Sequence, residues 1–480
     1  MSDEWKGKSV LVLGLGDTGL SVVRWLARRG SRLRAADTRA APPSLGTVRA
    51  DHPDVGVALG PFDEALLAGV DAVVASPGVA LGEPVLRAAA ARGIEILGDV
   101  EIFAREIAQR GNARVIGVTG TNGKSTVTAL VAAMAQAAAR RAVAIGNIGV
   151  PVLEMMEAPD FDRVEVIVVE LSSYQLETTS SLHLDAGAVL NVTQDHLDRY
   201  PGMEGYAAAK ARIFNHCRTR VVNREDPRTL AMAGGHADTL TFGLDVPKGE
   251  REWGLDPARS QLRRGERSLL AVDDMAMQGL HNAANALAAH ALGTAIGLPE
   301  RPMATAIRQF RGLPHRVELV AEACGVRFFD DSKGTNVGST VAALAGFRTP
   351  LVLIAGGDGK GQDFAPLAAA VAARPPRAVV LIGRDAPVLE AALKDTGVAI
   401  ERVETMPQAV EAAFNRARAG DAVLLSPACA SLDMFRNYGH RGDVFAEAAR
   451  ALAARISPSP RSTGTDHSSK PDVLCPPKKP

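Results

Sequence analysis

Three sets of residues in this sequence have the type and spacing to do chemistry. The first is the loop TGTNGKST, Thr119–Thr126, set between the β-branched run Val115–Val118 and an apolar helix. A glycine loop between a buried strand and a helix aims backbone N–H groups and the positive helix end at an anion. Lys124 would then neutralise terminal phosphate oxygens, and Ser125 or Thr126 would ligate Mg²⁺. The strict pattern G-x4-G-K-[ST] needs glycine at 118, where the chain carries Val118, so only the strand, loop and helix context fits. ATP or GTP is the ligand this implies, against a tight turn with a solvated lysine.

The second set is polar groups at the ends of apolar runs. Phosphoryl transfer needs Mg²⁺ and therefore oxygen ligands near the loop. VIVVELSSYQLE ends its apolar run on Glu170, where a parallel sheet would present the carboxylate beside the phosphate loop. A metal ligand is one reading, and a capping or ion-paired residue the other. GAVLNVTQDHLDRY brings Thr193, Asp195, His196 and Asp198 to the same expected edge. A single histidine there is commonly a hydrogen-bonded structural residue, but two such strand ends favour an Mg²⁺ site, because open α/β sheets bind ligands at strand C-termini. Lys210, in GYAAAKARIFNH, reads from the residues alone as a solvated helix lysine.

The third set is upstream. VLVLGLGDTGL satisfies G-x-G-x-x-G with Gly14, Gly16 and Gly19, and Asp37 stands where it would accept from a ribose hydroxyl. Alone, the motif suits an NAD-dependent dehydrogenase. A second phosphate loop is superfluous for hydride chemistry, which favours a nucleotide-diphosphate substrate here, with SPGV (Ser76–Val79) completing the site; a merely structural βα turn is the third reading.

These residues need sheets to hold them. Strand-like and helix-like segments alternate through the first hundred residues, restart at ARVIGVTG, and restart again at VRFFDDSK. Such alternation implies βαβ units and parallel sheets. The expected class is α/β with three domains: a Rossmann-like domain over 1–104, a central P-loop ATPase domain with a parallel sheet over 105–312, and a C-terminal Rossmann-like domain over 313–456. The Pro- and Ser-rich stretch 457–480 is expected to be a disordered tail.

The chain has 480 residues, 46% of them apolar and 22% charged, with 54 basic residues against 54 acidic ones. That balance draws the protein to neither nucleic acid nor anionic membrane. The opening does not read as a signal peptide, and no apolar run reaches the roughly 20 residues needed to span a bilayer. Cys217, Cys324, Cys429 and Cys475 show no CxxC or metal-ligand spacing, which fits a reducing cytoplasm.

With both loops placed, the sequence resembles the Mur ligase family, ATP-dependent amide ligases of peptidoglycan precursor synthesis. TGTNGKST, GNIG, ELSSYQLE and NVTQDHLDRY look like its central domain, and HNAANALAA, LPHRVE, DDSKGTN, GGDGKGQDF and SPACASLDMF continue the likeness, over roughly residues 8–455. DDSKGTN and SPACASLDMF look most like the D-glutamate-adding branch, and the DNPR-like segment of diamino-acid-adding relatives is missing. The resemblance implies that ATP, UDP-N-acetylmuramoyl-L-alanine and D-glutamate give ADP, phosphate and the extended nucleotide through an acyl phosphate. A related Mur or folylpolyglutamate synthase-like ligase with another amino acid or acceptor is the alternative, and a nucleotide-binding switch without ligase chemistry a more distant one.

The same resemblance assigns roles by motif. Gly120, Thr121, Asn122, Gly123, Lys124, Ser125 and Thr126 would hold the ATP phosphates. Asn282, Asn285, Arg316 and Asp331 would surround adenine and ribose, with His315 adjoining. Ser125, Glu170, His196 and Lys210 would bind two Mg²⁺ ions, Lys210 as a carbamate formed with CO₂, and Lys124, Glu170, His196 and Lys210 are the expected catalytic set. Asp17, Thr18, Asp37, Thr38, Arg39 and Gly78 fall at the uridine diphosphate, and Asn147 at the muramoyl-alanine portion or a metal-bound water. Thr335, Lys360, Ser431, Leu432 and Tyr438, with His196, fall at D-glutamate. Asp17 stands where the family pattern leads one to expect an apolar residue. A cytoplasmic monomer is expected, serving cell-wall synthesis and hence cell shape and division. ATP and the amino acid on different domains would need domain closure, with hinges near 103–112 and 312–314.

Overall fold

A computed structural model describes residues 3–111, 113–196, 199–277, 279–347 and 349–456. Asn112, the expected metal-edge residue Asp198 and the expected tail 457–480 lie outside the described residues.

Three sheets organise the described residues. The first is five-stranded and parallel, in the order β3-β2-β1-β4-β5, from β1 (Ser9–Leu13), β2 (Arg32–Asp37), β3 (Gly56–Leu59), β4 (Ala72–Ala75) and β5 (Glu95–Leu97). SVLVL in β1 is buried throughout, as an unbroken apolar run must be when helices cover both faces.

The second sheet has nine strands in the order β14-β13-β12-β11-β10-β9-β6-β8-β7. Its parallel part comprises β6 (Arg114–Thr119), β7 (Ala142–Gly146), β8 (Val166–Glu170), β9 (Leu184–Val189), β10 (Cys217–Asn223), β11 (Thr239–Phe242) and β12 (Glu252–Leu255). β13 (Gln261–Arg264) and β14 (Arg267–Ala271) extend it antiparallel, so the expected parallel sheet is mixed at one edge. These are short strands with polar faces, and their joining turns carry no crossover helix to announce them.

The third sheet, in the order β15-β16-β20-β17-β18-β19, has β15 (Glu318–Ala323) antiparallel to β16 (Val326–Asp330). The rest is parallel: β17 (Leu351–Gly356), β18 (Ala378–Ile382), β19 (Ile400–Arg402) and β20 (Ala422–Leu425).

The chain forms two compact units. Among the described residues, one runs to Val192 and includes Arg199–Ala276 and Ala284–Phe310; the other takes Thr193–His196, Met277–Ala283 and those from Arg311 to Ile456. Within the first unit the segment expected to be a hinge near 103–112 is instead, through Arg110, part of the helix Asp99–Arg110. Glu101 in that helix accepts from the backbone N–H of Ser180 and Ser181 at 2.7 and 3.0 Å and from the Ser181 hydroxyl at 2.8 Å. A buried carboxylate bonded to these donors fixes its helix, which leaves little freedom for a linker there. Among the described residues no helix is long and apolar enough to cross a membrane.

Candidate active site

Register brings the phosphate loop and Glu170 together. β6 lies between β8 and β9, with Val118 opposite Glu170 and Thr119 opposite Val189. Val118 is fully buried inside β6, which explains why the strict glycine is dispensable: position 118 still belongs to the strand. The left-handed turns come at Gly120 (φ 149°) and Gly123 (φ 85°). A Cβ on Gly123 would sit 2.4 Å from the Asn285 side-chain oxygen, so Asn285 packs directly on the loop.

The N-cap residue of the helix Lys124–Ala137 that follows is Gly123, which offers no side chain to cap it, so the positive helix end opens on the loop. Asn191 clamps the loop from outside. Its Oδ1 accepts from the Asn122 N–H at 2.8 Å, its Nδ2 donates to the Asn122 carbonyl at 3.1 Å, and its own carbonyl accepts from the Thr121 N–H at 2.9 Å. Sequence reading passed over Asn191, although it lies within NVTQDH. The Lys124 ammonium turns back on the loop, donating to the carbonyls of Gly120 and Thr121 at 3.0 and 2.9 Å. Lys210 is not the solvated residue its sequence context suggests. It is 1% exposed, donates to the same Gly120 carbonyl at 2.8 Å, and lies 4.4 Å from the centre of the Tyr206 ring.

Glu170 is 1% exposed. Its Oε1 accepts from the Asn147 Nδ2 at 2.9 Å, while its Oε2 is buried with no hydrogen-bond partner. A Cβ on Gly146, opposite Glu170 in the ladder, would strike the Glu170 carbonyl at 2.4 Å, so glycine there lets the GNIG turn close on the carboxylate. A buried, partnerless carboxylate oxygen is costly unless a cation meets it. Such an oxygen is a hard donor of the kind Mg²⁺ takes. His196 groups with the second compact unit. Its backbone is left-handed (φ 55°), its N–H donates to Asp195 Oδ1 at 3.0 Å, and Asp195 Oδ2 accepts from Asn336 Nδ2 at 3.2 Å.

In the upstream loop the three glycines do different work. A Cβ on Gly19 would lie 1.9 Å from the Gly14 carbonyl oxygen, and Gly14 itself has φ 92° and abuts Ser76. Gly16 faces open space, where a diphosphate would approach. The Ser76 hydroxyl donates to the Gly14 carbonyl at 3.1 Å, which brings the SPGV turn, with Gly78, beside the loop. Asp37 differs from expectation. Its Oδ2 accepts from the Leu15 N–H at 2.7 Å and from Arg39 Nη2 at 2.6 Å, and its Oδ1 from the Arg39 backbone N–H and Nε at 2.9 and 2.8 Å. The Arg39 guanidinium holds this carboxyl well below the usual carboxylate range. With both oxygens engaged, Asp37 orients Arg39 and the loop rather than waiting for a ribose hydroxyl, which removes a support of the dehydrogenase reading. Asp17 and Thr18 open the helix that follows, and Thr38 links Asp37 to Arg39.

In the second unit, the strand ends of the third sheet converge. Asp330, Leu425 and Ile354 are level across β16, β20 and β17, so the segments after them, DDSK, SPACAS and GGDGKG, leave one edge. Asp331 is buried and accepts from the Ser426 hydroxyl at 2.7 Å; burial pushes its carboxyl up to about 7. His315 Nδ1 lies 2.7 Å from Asp330 Oδ2, and that partner raises the imidazole's proton affinity. His315, Glu318 and Asp330 cluster tightly, but the ion pair accounts for the grouping. Arg316 lies close enough to His281 for its charge, after burial, to hold that imidazole down at about 4. Asn282 lies in the first turn of the helix Leu280–Ala295 and donates through its backbone to the Gly279 carbonyl at 3.0 Å.

Thr335 follows Lys333, whose ammonium stands 3.7 Å from the Tyr438 ring centre. Ser431 is buried, whereas Leu432 is 71% exposed. Lys360 is left-handed (φ 49°), a conformation that costs a non-glycine residue about 1–3 kcal/mol and persists where surroundings impose it. Arg441, which sequence reading passed over because a lone arginine on a helix carries no signal, is 1% exposed. It donates to the Ser332 hydroxyl and carbonyl at 3.0 and 2.8 Å and to the Cys429 and Ala430 carbonyls at 3.1 and 3.2 Å, tying DDSK to SPACAS.

Known proteins resemble the chain along its length. The family model described as "Mur ligase MurD-like, N-terminal domain" matches residues 8–98, "Mur ligase middle domain" 118–293, and "Mur ligase, glutamate ligase domain" 315–429. A UDP-N-acetylmuramoylalanine–D-glutamate ligase from Methylobacillus flagellatus is 55% identical, covering 93% of this chain and 98% of the relative. One of the same name from Thiobacillus denitrificans is 52% identical over 94% and 97%. Among solved structures, the UDP-N-acetylmuramate-alanine ligase MurC from Thermotoga maritima has a TM-score of 0.59 at 19% identity, covering 92% of this chain and 99% of that one. MurF from Acinetobacter baumannii has a TM-score of 0.59 at 16% identity, covering 94% and 92%; at such identities the likeness is one of fold.

Proposed function

This chain belongs to the Mur ligase family, and from that premise we propose that it joins D-glutamate to UDP-N-acetylmuramoyl-L-alanine, converting ATP to ADP and phosphate, in peptidoglycan precursor synthesis. The observation that carries this reading is the near full-length identity to D-glutamate ligases. The uncapped, lysine-bearing loop beside a buried carboxylate supports its ATP chemistry.

A carboxylate is a poor acyl donor because its leaving group would be oxide. Transfer of the γ-phosphoryl group of ATP to the L-alanine carboxylate makes an acyl phosphate and releases ADP. The D-glutamate amine then adds to the carbonyl, and the tetrahedral intermediate expels phosphate as the amide forms. Both steps concentrate negative charge, so cations and N–H donors should line the site. The N–H groups of the 120–126 loop receive the ATP phosphates, and Lys124 exchanges its carbonyl partners for the γ-phosphate. Asn282, Asn285, Arg316 and Asp331 hold adenine and ribose. Asp17, Thr18, Thr38, Gly78 and Arg39, the last oriented by Asp37, hold the uridine diphosphate. Asn147 orients the muramoyl-alanine end, and Lys360, Thr335, Ser431, Leu432, Tyr438 and His196 receive D-glutamate.

Mg²⁺, when bound, supplies charge neutralisation at the phosphates; two ions would be held by Glu170, Ser125, His196 and Lys210. For Lys210 this requires a carbamate, formed when its neutral amine adds to CO₂ and loses a proton. Support comes from its burial and from the second ammonium, Lys124, on the same carbonyl, since the modification replaces one of two neighbouring cations with an anion. The protein acts as a cytoplasmic monomer on small-molecule substrates.

Substrate labelled with ¹⁸O in the L-alanine carboxylate tests the mechanism. An acyl phosphate carries one labelled oxygen into the released phosphate; label retained wholly in the amide and water would overturn it.

A further inference from the structure

The loop GGDGKGQDF that carries Lys360 is built against a turn the chemistry above does not use, Gly383–Asp385 after β18. Asp385 Oδ2 accepts from the Gly359 N–H at 2.7 Å, and the Asp385 N–H donates to the Gly357 carbonyl at 3.0 Å. Arg384 links the two sides. Its Nε donates to Asp385 Oδ1 at 3.2 Å, and its Nη2 to Asp385 Oδ2 at 3.1 Å and to Asp358 Oδ1. Asp358 Oδ1 in turn accepts from the Lys360 N–H at 2.9 Å. The peptide groups on both sides of Gly359 are thus held by carboxylates bridged through one guanidinium.

The packing leaves no slack. A Cβ on Gly383 would lie 2.7 Å from the Gly357 Cα and from Asp433 Oδ2, and one on Gly357 would lie 2.2 Å from the Ala430 carbonyl. Asp433 Oδ2 accepts from the Arg384 N–H at 2.9 Å, and Asp358 pairs with Ala430 through backbone bonds at 3.0 and 2.8 Å. The turn therefore touches the Lys360 loop and the segment that carries Ser431. Lys360 is left-handed, and the residues after it are bound to the same frame: the Gln362 N–H and Nε2 both donate to the Gly359 carbonyl at 3.0 Å.

From this geometry we infer that Asp385, braced by Arg384, is a positioning residue for D-glutamate: it holds the left-handed turn that aims Lys360 at a substrate carboxylate. A flexible lysine in a loose loop would pair with a carboxylate in many poses. Fixing its backbone removes that freedom before the substrate arrives. The inference rests on the assignment of Lys360 to the D-glutamate pocket, and it deepens that assignment by naming what makes the pocket selective. Asp385 itself touches no reacting atom.

The test is a cycle of Asp385→Ala, Lys360→Ala and the double variant in the full-length protein, with steady-state constants for all three substrates. Asp385→Ala should raise the KM for D-glutamate at least about tenfold and leave those for ATP and the uridine nucleotide within about twofold. In the Lys360→Ala background the same change should add nothing, because Asp385 acts through Lys360. Asp385→Asn, which keeps the shape and removes the charge, should give a smaller rise in the same constant and covers the case in which the alanine variant fails to fold. A strong Lys360→Ala effect with normal D-glutamate KM in both Asp385 variants, or fully additive effects in the double variant, overturns the inference alone. An unaffected D-glutamate KM in Lys360→Ala overturns the pocket assignment and the inference with it.

Discussion

The ammonium groups of Lys124 and Lys210 donate to one acceptor, the carbonyl oxygen of Gly120, at 3.0 and 2.8 Å. Both ammonium groups are thereby anchored at the loop that would receive the ATP phosphates, and Lys210 is buried there. ATP phosphates would satisfy Lys124, and the proposed carbamate would reverse the sign of Lys210.

Removing Lys124 should therefore stop phosphoryl transfer without disturbing uridine-nucleotide binding, because Gly14–Gly19 belongs to a different sheet. Lys124→Ala should lower kcat by at least about 10²–10³-fold. Calorimetric titration with the uridine substrate should give an unchanged affinity; a comparable loss of that affinity would break the separation of the two sites.

Lys210→Ala should be inactive and partly rescued by short-chain carboxylic acids, which return the lost anion to the space its side chain leaves. Native mass spectrometry of the unaltered protein should show 44 Da, the mass of about one CO₂, labile to acid. Absence of both signals would sink the carbamate.

Glu170→Gln tests the proposed metal ligand. A buried carboxylate oxygen without a partner destabilises the metal-free protein. The variant should melt at or above the temperature of the original without Mg²⁺, and the rise in melting temperature that Mg²⁺ and nucleotide produce should shrink. A full Mg²⁺-dependent rise in the variant would remove Glu170 from the metal site.

The upstream glycines separate packing from ligand contact. Gly19→Ala forces a methyl group against the Gly14 carbonyl and should cost about 1–3 kcal/mol of stability. Gly16→Ala meets nothing within 4 Å, so its melting temperature should hold while the KM for the uridine nucleotide rises. Equal destabilisation by both would contradict the assignment of Gly16 to the ligand face.

Asp331 gives a pH signature. Burial raises its folded pKa to about 7 from 3.8, so between those values the folded state binds more protons than the unfolded one. Its contribution is fully present below pH 3.8 and is lost as pH rises through about 7. Asp331→Asn cannot ionise, so its stability relative to the original protein should improve steadily from about pH 4 to pH 7. A pH-independent difference between the two would show that Asp331 titrates normally.

Much of this architecture was legible because apolar runs ending in glycine or carboxylate report strand ends directly, as at Val118–Gly120 and Glu170. The antiparallel strands β13 and β14 were not, since QLRR and RSLLA look like polar surface. A hinge near 103–112 is what the sequence suggests there, because the acids that fix the helix Asp99–Arg110, among them Glu101, read as solvent-facing until their partners across the fold are known. Asn191, Arg441 and Asp385 escaped notice for a related reason. Each acts on backbone groups of a loop distant in sequence, and such bonds leave no spacing to read. Lys210 looked solvated because its Ala-rich helix gives no hint that its far end meets Gly120.

Two substrates, and no other pair, should unlock amide formation. Phosphate release should require ATP, UDP-N-acetylmuramoyl-L-alanine and D-glutamate together, with mass spectrometry showing the uridine nucleotide extended by one glutamate. Equal release and amide formation with a different amino acid or acceptor, or ATP binding with no amide under any pair, would contradict it.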